Sequence, residues 1–337
     1  MNIIDMHCDT IYQLYCRELE GASLSLRNAE GFHINLEKMK AGDYLLQNFA
    51  AFVDLEEAKQ QFGTEDAPYR FACELVRVFR EQLEANHDMI RPAASFSDLC
   101  HNQASGYLSA MLTLEEGGVC LGDLEKLRKF YQDGARMMTL TWNYENEIGY
   151  PAAMQKQGSA GYKPQEKRTY GLKPVGIAFL EEMEHLGMII DVSHLSDDGF
   201  FDVWEHTKKP FVASHSNCRA LCSHERNLSD EMLHMLGERG GIAGLNFYPD
   251  FLTNDRMHLD RSLYDFLADH ALHMIQAGGS SCIGLGSDFD GFHDESQPAD
   301  AAALQDLTWV FHKHHISDDQ IDRILYQNVY ELYREVL

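Results

Sequence analysis

The sequence predicts an α/β protein, and within that class a (β/α)8 barrel of the TIM type. Three observations lead there. Short β-branched apolar runs alternate with helical patterns along the whole chain. The runs are too short and too apolar to alternate in polarity, which marks strands buried on both faces of a parallel sheet. Several of them stop on His, Asp or Glu, at the strand ends where barrels of this kind build active sites. A doubly wound open sheet is the alternative. No G-x-G-x-x-G or P-loop pattern opens a helix to support a nucleotide-binding version of it.

Taken in order, Asn2–Met6 reads as the first strand and Tyr44–Val53 as the second. Pro68–Asn86 is a helical pattern with Pro68 suited to its first turn. Leu108–Leu114 is the third strand, followed by a helix over Asp123–Asp133, and Arg136–Thr141 is the fourth. Asn143–Thr169 is a long polar loop, and a loop of that length in a compact domain is usually functional or mobile. A helix over Lys173–His185 leads to the fifth strand, Met188–Val192. A helical spacer separates it from the sixth, Phe211–Ala213. Ser229 is placed as the N-cap of a helix over Asp230–Arg239. Gly241–Phe247 is the seventh strand, Arg261–Ala277 a helix and Cys282–Gly286 the eighth strand. Ala301–Lys313 and Ser317–Leu337 read as terminal helices. No repeat, low-complexity tract or linker divides the chain, so residues 1–337 are expected to form one domain with C-terminal helices.

Of 337 residues, 45% are hydrophobic, enough for a full core. The 28 Lys and Arg against 53 Asp and Glu leave a net charge of −25. That field repels phosphate backbones and anionic headgroups, which argues against nucleic-acid and membrane-surface partners. The start, MNIIDMHCDT, has an acidic residue at position 5 and no long apolar stretch, so no targeting segment is expected. No run approaches the ~20 apolar residues of a membrane span. The eight scattered cysteines then read as reduced thiols of a cytoplasmic protein. Cys218 and Cys222 lie beside His215 and His224, but no second cysteine pair completes a structural zinc knot.

The strand ends carry the chemistry. The first strand ends in Asp5-Met6-His7-Cys8-Asp9 and the third in Glu115-Glu116-Gly117-Gly118. The fifth ends in Ser193-His194, the sixth in Ser214-His215 and the eighth in Ser287-Asp288-Phe289-Asp290-Gly291. One such histidine is more often a core or loop residue. Two in matching positions on successive strands are what a shared metal needs. Nitrogen and carboxylate donors together suit zinc or a similar first-row divalent ion. One catalytic zinc takes three protein ligands, so this set is too large for one ion. Two ions bridged by a carboxylate, roughly 3.5–4 Å apart, use all of it.

At these residues the chain resembles the membrane (renal) dipeptidases, a family of binuclear zinc peptidases built on a (β/α)8 barrel of the metallo-dependent hydrolase kind. The resemblance runs almost end to end. It is carried by the first strand end and by LTLEEGG, LRKFYQDGARMMTLTW, LGMIIDVSHLS, PFVASHSNCRALCSHERN, LNFY and GLGSDFDG. By position, the resemblance implies His7 and Asp9 as ligands of one metal and His194 and His215 as ligands of the other. It implies a bridging glutamate at Glu115 or Glu116. An ungapped count back from Leu127-Arg128 and the phase of Leu112-Thr113-Leu114 favour Glu115; a count from Gly117-Gly118 favours Glu116.

The same resemblance implies Arg226 as the holder of the substrate carboxylate. Asp288 becomes the acid near the substrate amino group, and Tyr248 a pocket residue. Read without it, Asp288 is a turn carboxylate, Arg226 a surface ion-pair arginine and Tyr248 core. Asp290, before Gly291, reads as a turn carboxylate in any case. His224, His293, His312, His314 and His315 have no strand-end placement and read as surface or core histidines. One departure stands out. The family often has a histidine after the fourth-strand Thr-Leu-Thr that helps stabilise the tetrahedral intermediate, and here that position is Trp142. Tryptophan offers one N–H donor and no ionisable nitrogen. Trp142 itself, Asn143 or Asn146 can take the task, or Trp142 narrows the pocket for another substrate.

The activity so implied is dipeptide hydrolysis through a hydroxide bridging two Zn²⁺ ions, which lower the pKa of bound water to about 7. Arg226 grips the C-terminal carboxylate by its planar fork, and Asp288 binds the amino group or passes a proton to the leaving nitrogen. A homodimer is implied by the family alone. Three other readings remain: a zinc hydrolase of an N-acyl-amino acid or β-lactam, a barrel that binds zinc or ligand without turnover, and a phosphotriesterase-like barrel. The last usually needs a bridging lysine at the fourth strand end, and none lies near Thr141.

Overall fold

The computed structural model describes residues 2–255, 261–292 and 298–337, so His293 lies outside the described residues. Nine parallel strands run in chain order: β1 (Ile3–Asp5), β2 (Tyr44–Phe52), β3 (Ile90–Pro92), β4 (Leu108–Glu115), β5 (Ala135–Thr139), β6 (Ile189–Asp191), β7 (Val212–Ala213), β8 (Ile242–Leu245) and β9 (Ile283–Leu285). Eight of them close on themselves as a barrel, because β2 pairs with β1 on one edge and with β4 on the other. Closure leaves no barrel edge with unpaired backbone groups.

The ninth strand, β3, is the one that sequence periodicity does not show. It pairs with the first half of β4, Ile90 against Leu108, while β5 pairs with the second half from Leu112 onward. So β3 wedges between two barrel strands at their lower end. Three residues ending in proline give no period to read, which is why it escaped the pattern.

Helices cover the outside. Those expected are α4 (Ala67–Ala85), α6 (Leu124–Gln132), α7 (Pro174–Leu186), α9 (Asp230–Glu238) and α10 (Leu263–Gly278). Pro68 and Pro174 sit in first turns, and Ser229 accepts from Met232 N at 3.2 Å, as an N-cap should. The spacer after β6 is the helix α8 (Asp197–His206). Four further helices were not anticipated: α1 (Thr10–Leu19), α2 (Leu36–Ala41), α3 (Leu55–Phe62) and α5 (Phe96–Ala104). Each is held at its buried face by what it packs on, β2 or β4 for α1, α2 and α5 and the helix α4 for α3, rather than by a long periodic stripe. The first terminal helix opens with a 3₁₀ turn capped by Asp300 before α11 (Gln305–Lys313). The second is broken into α12 (Asp318–Asp322) and α13 (Asn328–Val336) by a π turn over Arg323–Gln327. Among the described residues, no helix is long and apolar enough to cross a membrane.

Alternate strand residues feed two cores. Ile190 and Ala243 face the helices, whereas Ile189 and Ile242 face inward with Ile4, Met111 and Met137. Val329, Leu332 and Tyr333 of α13 pack onto this inner cluster and seal the barrel floor. There Asn48 Nδ2 donates to Tyr333 Oη at 2.7 Å. All eight cysteines are free thiols; Cys218 and Cys222 are buried and bond to backbone carbonyls.

Candidate metal centre

The opposite end of the barrel gathers the strand-end residues. Glu115 is the last residue of β4, and its two oxygens divide the histidines between them. Oε2 stands 3.1 Å from His7 Nε2. Oε1 stands 3.1 Å from His194 Nε2 and 3.5 Å from His215 Nε2. Asp9 Oδ2 joins the first group, 3.5 Å from His7 Nε2. The rings of His7 and His215 stack at 3.9 Å.

Three imidazole nitrogens converging on one carboxylate are a donor set that a cation would fit. His194 Nε2 and His215 Nε2 face each other at 3.1 Å, and both face the same carboxylate oxygen. His7 Nε2 and Asp9 Oδ1 are buried and have no hydrogen-bond partner. Orphaned buried polar atoms are costly unless something compensates them, and nitrogen with carboxylate oxygen is a first-row metal's donor set. Burial, reinforced by the nearby Arg226 charge, pushes the His194 imidazole down to about 3. Burial also holds His215 well below the usual histidine range. Both shifts favour the neutral ring that a ligand needs, whereas at His7 the charges of Glu115 and Asp9 outweigh burial and hold the imidazole well above the usual histidine range.

Glu116 goes elsewhere. It has φ 102°, and its carboxylate accepts from Gly118 N at 2.6 Å, Trp142 N at 2.8 Å and the Asn146 amide. Burial pushes its carboxyl up to about 7. It ties the end of β4 to the loop after β5 and does not reach the histidines. His194, Asp288 and Asp290 also have φ between 63° and 67°. With Glu116 that makes four non-glycine residues in strained backbone at one barrel mouth, a clustering typical of functional sites.

Asp288 Oδ1 lies 3.9 Å from His7 Nε2, and its Oδ2 accepts from Asn246 Nδ2 at 2.9 Å. Burial pushes its carboxyl up to about 6. Arg226 is 6% exposed, and among the described residues it forms no ion pair. It donates only weakly, to Ser216 Oγ at 3.3 Å and the His215 carbonyl at 3.4 Å, and its Nε has no partner. Burial lowers its guanidinium to about 10, still cationic at neutral pH. A buried arginine left this free is suited to an incoming anion. Asp290, by contrast, is spent on structure: it accepts from Thr10 Oγ1 and His33 N, both at 2.6 Å.

A cavity of about 570 Å³ opens above the centre, lined by Asp9, Glu115, His194, Trp142, Tyr248 and Asp288 among others. Trp142 packs edge-on against Phe52 at 4.8 Å, and Tyr248 packs against Phe251 and Phe292. His224, outside this set, accepts from Arg226 N, and His314 pairs with Asp265.

Sequence reasoning missed the residues that hold this set. Asp5 Oδ1 accepts from His7 N at 3.3 Å and Ser287 N at 2.9 Å, and its Oδ2 accepts from Ser287 Oγ at 2.6 Å. Asp191 repeats the pattern half a barrel away. Its Oδ1 accepts from Ser193 N at 3.0 Å and Ser214 N at 2.9 Å, and its Oδ2 from Ser214 Oγ at 2.6 Å. Each strand-end aspartate thus grips a serine on the neighbouring strand and places the residue after it, Asp288 in one case and His215 in the other. The signal was present as Asp at the last position of two strands and Ser before each site residue.

Comparison with known proteins agrees with this geometry. The family model described as membrane dipeptidase (peptidase family M19) matches residues 1–337. An uncharacterized dipeptidase of Schizosaccharomyces pombe is 30% identical over 342 residues, covering 99% of this chain and 80% of that one. Dipeptidase aclJ of Aspergillus oryzae is 29% identical over 306 residues, covering 90% and 70%. The crystal structure of dipeptidase AC, a metallopeptidase of family M19, matches with a TM-score of 0.86 at 25% identity, covering 100% of this chain and 98% of that one. A Rhodobacter sphaeroides metallopeptidase, solved with a phosphinate mimic of the dipeptide L-Ala-D-Ala, shares the fold with a TM-score of 0.87 at 24% identity, over 100% and 99%. The chain belongs to the membrane dipeptidase family, peptidase family M19, and is a metallo-dipeptidase.

Proposed function

We propose that residues 1–337 form one catalytic unit that holds two zinc ions and hydrolyses the amide bond of dipeptides. The observation that carries this reading is the division of Glu115, one oxygen toward His7 and the other toward His194 and His215. His7 and Asp9 would hold one ion, His194 and His215 the other, and Glu115 both. Two divalent ions held there would supply Lewis acidity and a water made nucleophilic near pH 7.

The rest is done by side chains. Arg226 binds the substrate's C-terminal carboxylate through its fork; among the described residues it has no carboxylate partner, only weak contacts to Ser216 Oγ and the His215 carbonyl and the Phe251 ring beneath it. Asp288, with its carboxyl raised toward neutrality and Oδ2 fixed by Asn246, keeps Oδ1 for the substrate ammonium or for a proton bound for the leaving nitrogen. Trp142 and Tyr248 wall the cavity and exclude water from the reacting bond. A dipeptide suits such a site because both of its charged ends are held.

Zinc-reconstituted protein should contain two equivalents by elemental analysis. It should turn over dipeptides in a panel that also contains N-acyl-amino acids, β-lactams and phosphoesters. One equivalent or none would sink the binuclear reading. Preference for an N-acyl-amino acid or a β-lactam would assign Trp142 to a different amide substrate.

A further inference from the structure

His194 and His215 both turn Nε2 toward Glu115, so a ligand role requires each to keep its proton on Nδ1. What accepts that proton differs between them. His194 Nδ1 meets Asn143 Oδ1 at 3.2 Å, on an exposed part of the loop after β5. His215 Nδ1 meets Ser214 Oγ at 2.7 Å, in a site where Asp191, Ser214 and His215 are all 0% exposed.

The direction of the second contact follows from donor counting. A serine hydroxyl has one hydrogen. Asp191 Oδ2, 2.6 Å from Ser214 Oγ, is a carboxylate oxygen that only accepts. The alternative acceptor, Ser193 Oγ, is farther at 3.3 Å and uncharged, so the carboxylate takes the hydrogen. Ser214 Oγ is then left with lone pairs toward His215 and can only accept from Nδ1–H. The imidazole is locked with its Nε2 lone pair facing Glu115. Asp191 is itself fixed by Ser193 N, Ser214 N and Thr139 Oγ1, the last at 2.6 Å.

We propose that Ser214, backed by Asp191, is a positioning residue that sets the tautomer of His215 and strengthens it as a metal ligand. This rests on the reading of His194 and His215 as one ion's ligands. A structural role alone, joining β6 to β7, is the competing account, and the molecule contains its own control. Ser287 makes the same hydroxyl-to-carboxylate bond to Asp5, but its other contacts through that hydroxyl are the His7 carbonyl at 3.2 Å and Phe289 N at 3.1 Å, with no imidazole nitrogen.

The test is zinc affinity rather than turnover. Competition with a chromophoric chelator should show one of the two zinc equivalents weakened about 10–100-fold in Ser214→Ala, the range for loss of an outer partner of a ligand histidine. The other equivalent should be unchanged, and Ser287→Ala, whose hydroxyl touches no imidazole nitrogen, should weaken zinc clearly less than Ser214→Ala. Equal weakening in the two variants, or none in Ser214→Ala, overturns the proposal. A second measurement needs no variant to fold. In metal-free wild-type protein, long-range ¹⁵N–¹H spectra should show His215 protonated on Nδ1, with its resonance absent from His215→Gln. Protonation on Nε2 overturns the proposal. A wild type that binds fewer than two zinc equivalents would sink the binuclear reading instead, and the tautomer spectrum would still decide the relay.

Discussion

Glu115 and Glu116, adjacent in the chain, send their carboxylates to opposite tasks: Glu115 meets His7, His194 and His215, while Glu116 meets Trp142 N, Gly118 N and Asn146. Neighbouring side chains at a strand end point to opposite sides, so only one of the two can face the mouth. Glu115→Gln should lower kcat/KM by more than about 100-fold and release metal, since even outer partners of ligands cost 10–100-fold. Glu116→Gln should keep its metal but lose about 1–3 kcal/mol of stability, because its amide meets buried donors where an acceptor stood. Metal analysis with thermal melts separates the two; a metal-free Glu116→Gln would reverse the assignment.

Arg226 has no internal carboxylate partner among the described residues, and on the proposed function its partner comes with the substrate. Arg226→Ala should cost about 2–5 kcal/mol in kcat/KM, as truncating one side of a buried charge pair does. The loss should nearly vanish on a dipeptide amide, and Arg226→Lys should recover little. Equal losses on free-acid and amidated dipeptides would make Arg226 structural.

Gly291 passes close to two carboxylates. A Cβ there would fall within contact distance of Asp9 Oδ2 and 2.5 Å from Asp288 Oδ1. Gly291→Ala should therefore reduce kcat by displacing both acids. Since a 1 Å displacement can cost about 10²-fold, the loss should be of that order. A melting temperature near wild type with this loss is the expected result; full activity would show that the turn simply moves aside.

His270 sets an acid limit that does not involve the metal centre. It is buried, accepts from Cys218 N at 3.1 Å and contacts the Leu252 carbonyl at 3.0 Å. Burial pushes it down from 6.5 to about 4. Between those pH values the unfolded chain takes up the proton and the folded one does not, so stability falls as pH falls through this window. The total is about 3 kcal/mol on its own account. Denaturant titrations from pH 7 to pH 4 should show this slope, and His270→Gln should flatten it. An unchanged slope would place the acid sensitivity elsewhere.

Much of this was readable because the barrel repeats its logic. The apolar runs ending at Val192 and Ala213 and the His after each were visible as a doubled pattern, and a doubled pattern resists the bland reading. Glu115 over Glu116 was a matter of strand phase. What could not be read was whatever depends on distant residues meeting. Asp5 and Ser287 lie at opposite ends of the chain, and no local period announces that one will grip the other. The wedge strand Ile90–Pro92 and the unanticipated helices α1, α2, α3 and α5 are stabilised by the surfaces they land on, so their own sequences carry little sign of them.

The floor formed by Val329, Leu332 and Tyr333 has a kinetic meaning. With that end filled by packed side chains, the barrel is a blind vessel and not a tunnel. One molecule enters and two leave by the same doorway, under the gaze of Trp142 and Tyr248. If an amino acid is slow to leave that doorway, the next dipeptide is kept out, and the rate of clearing caps kcat however fast the bond is broken.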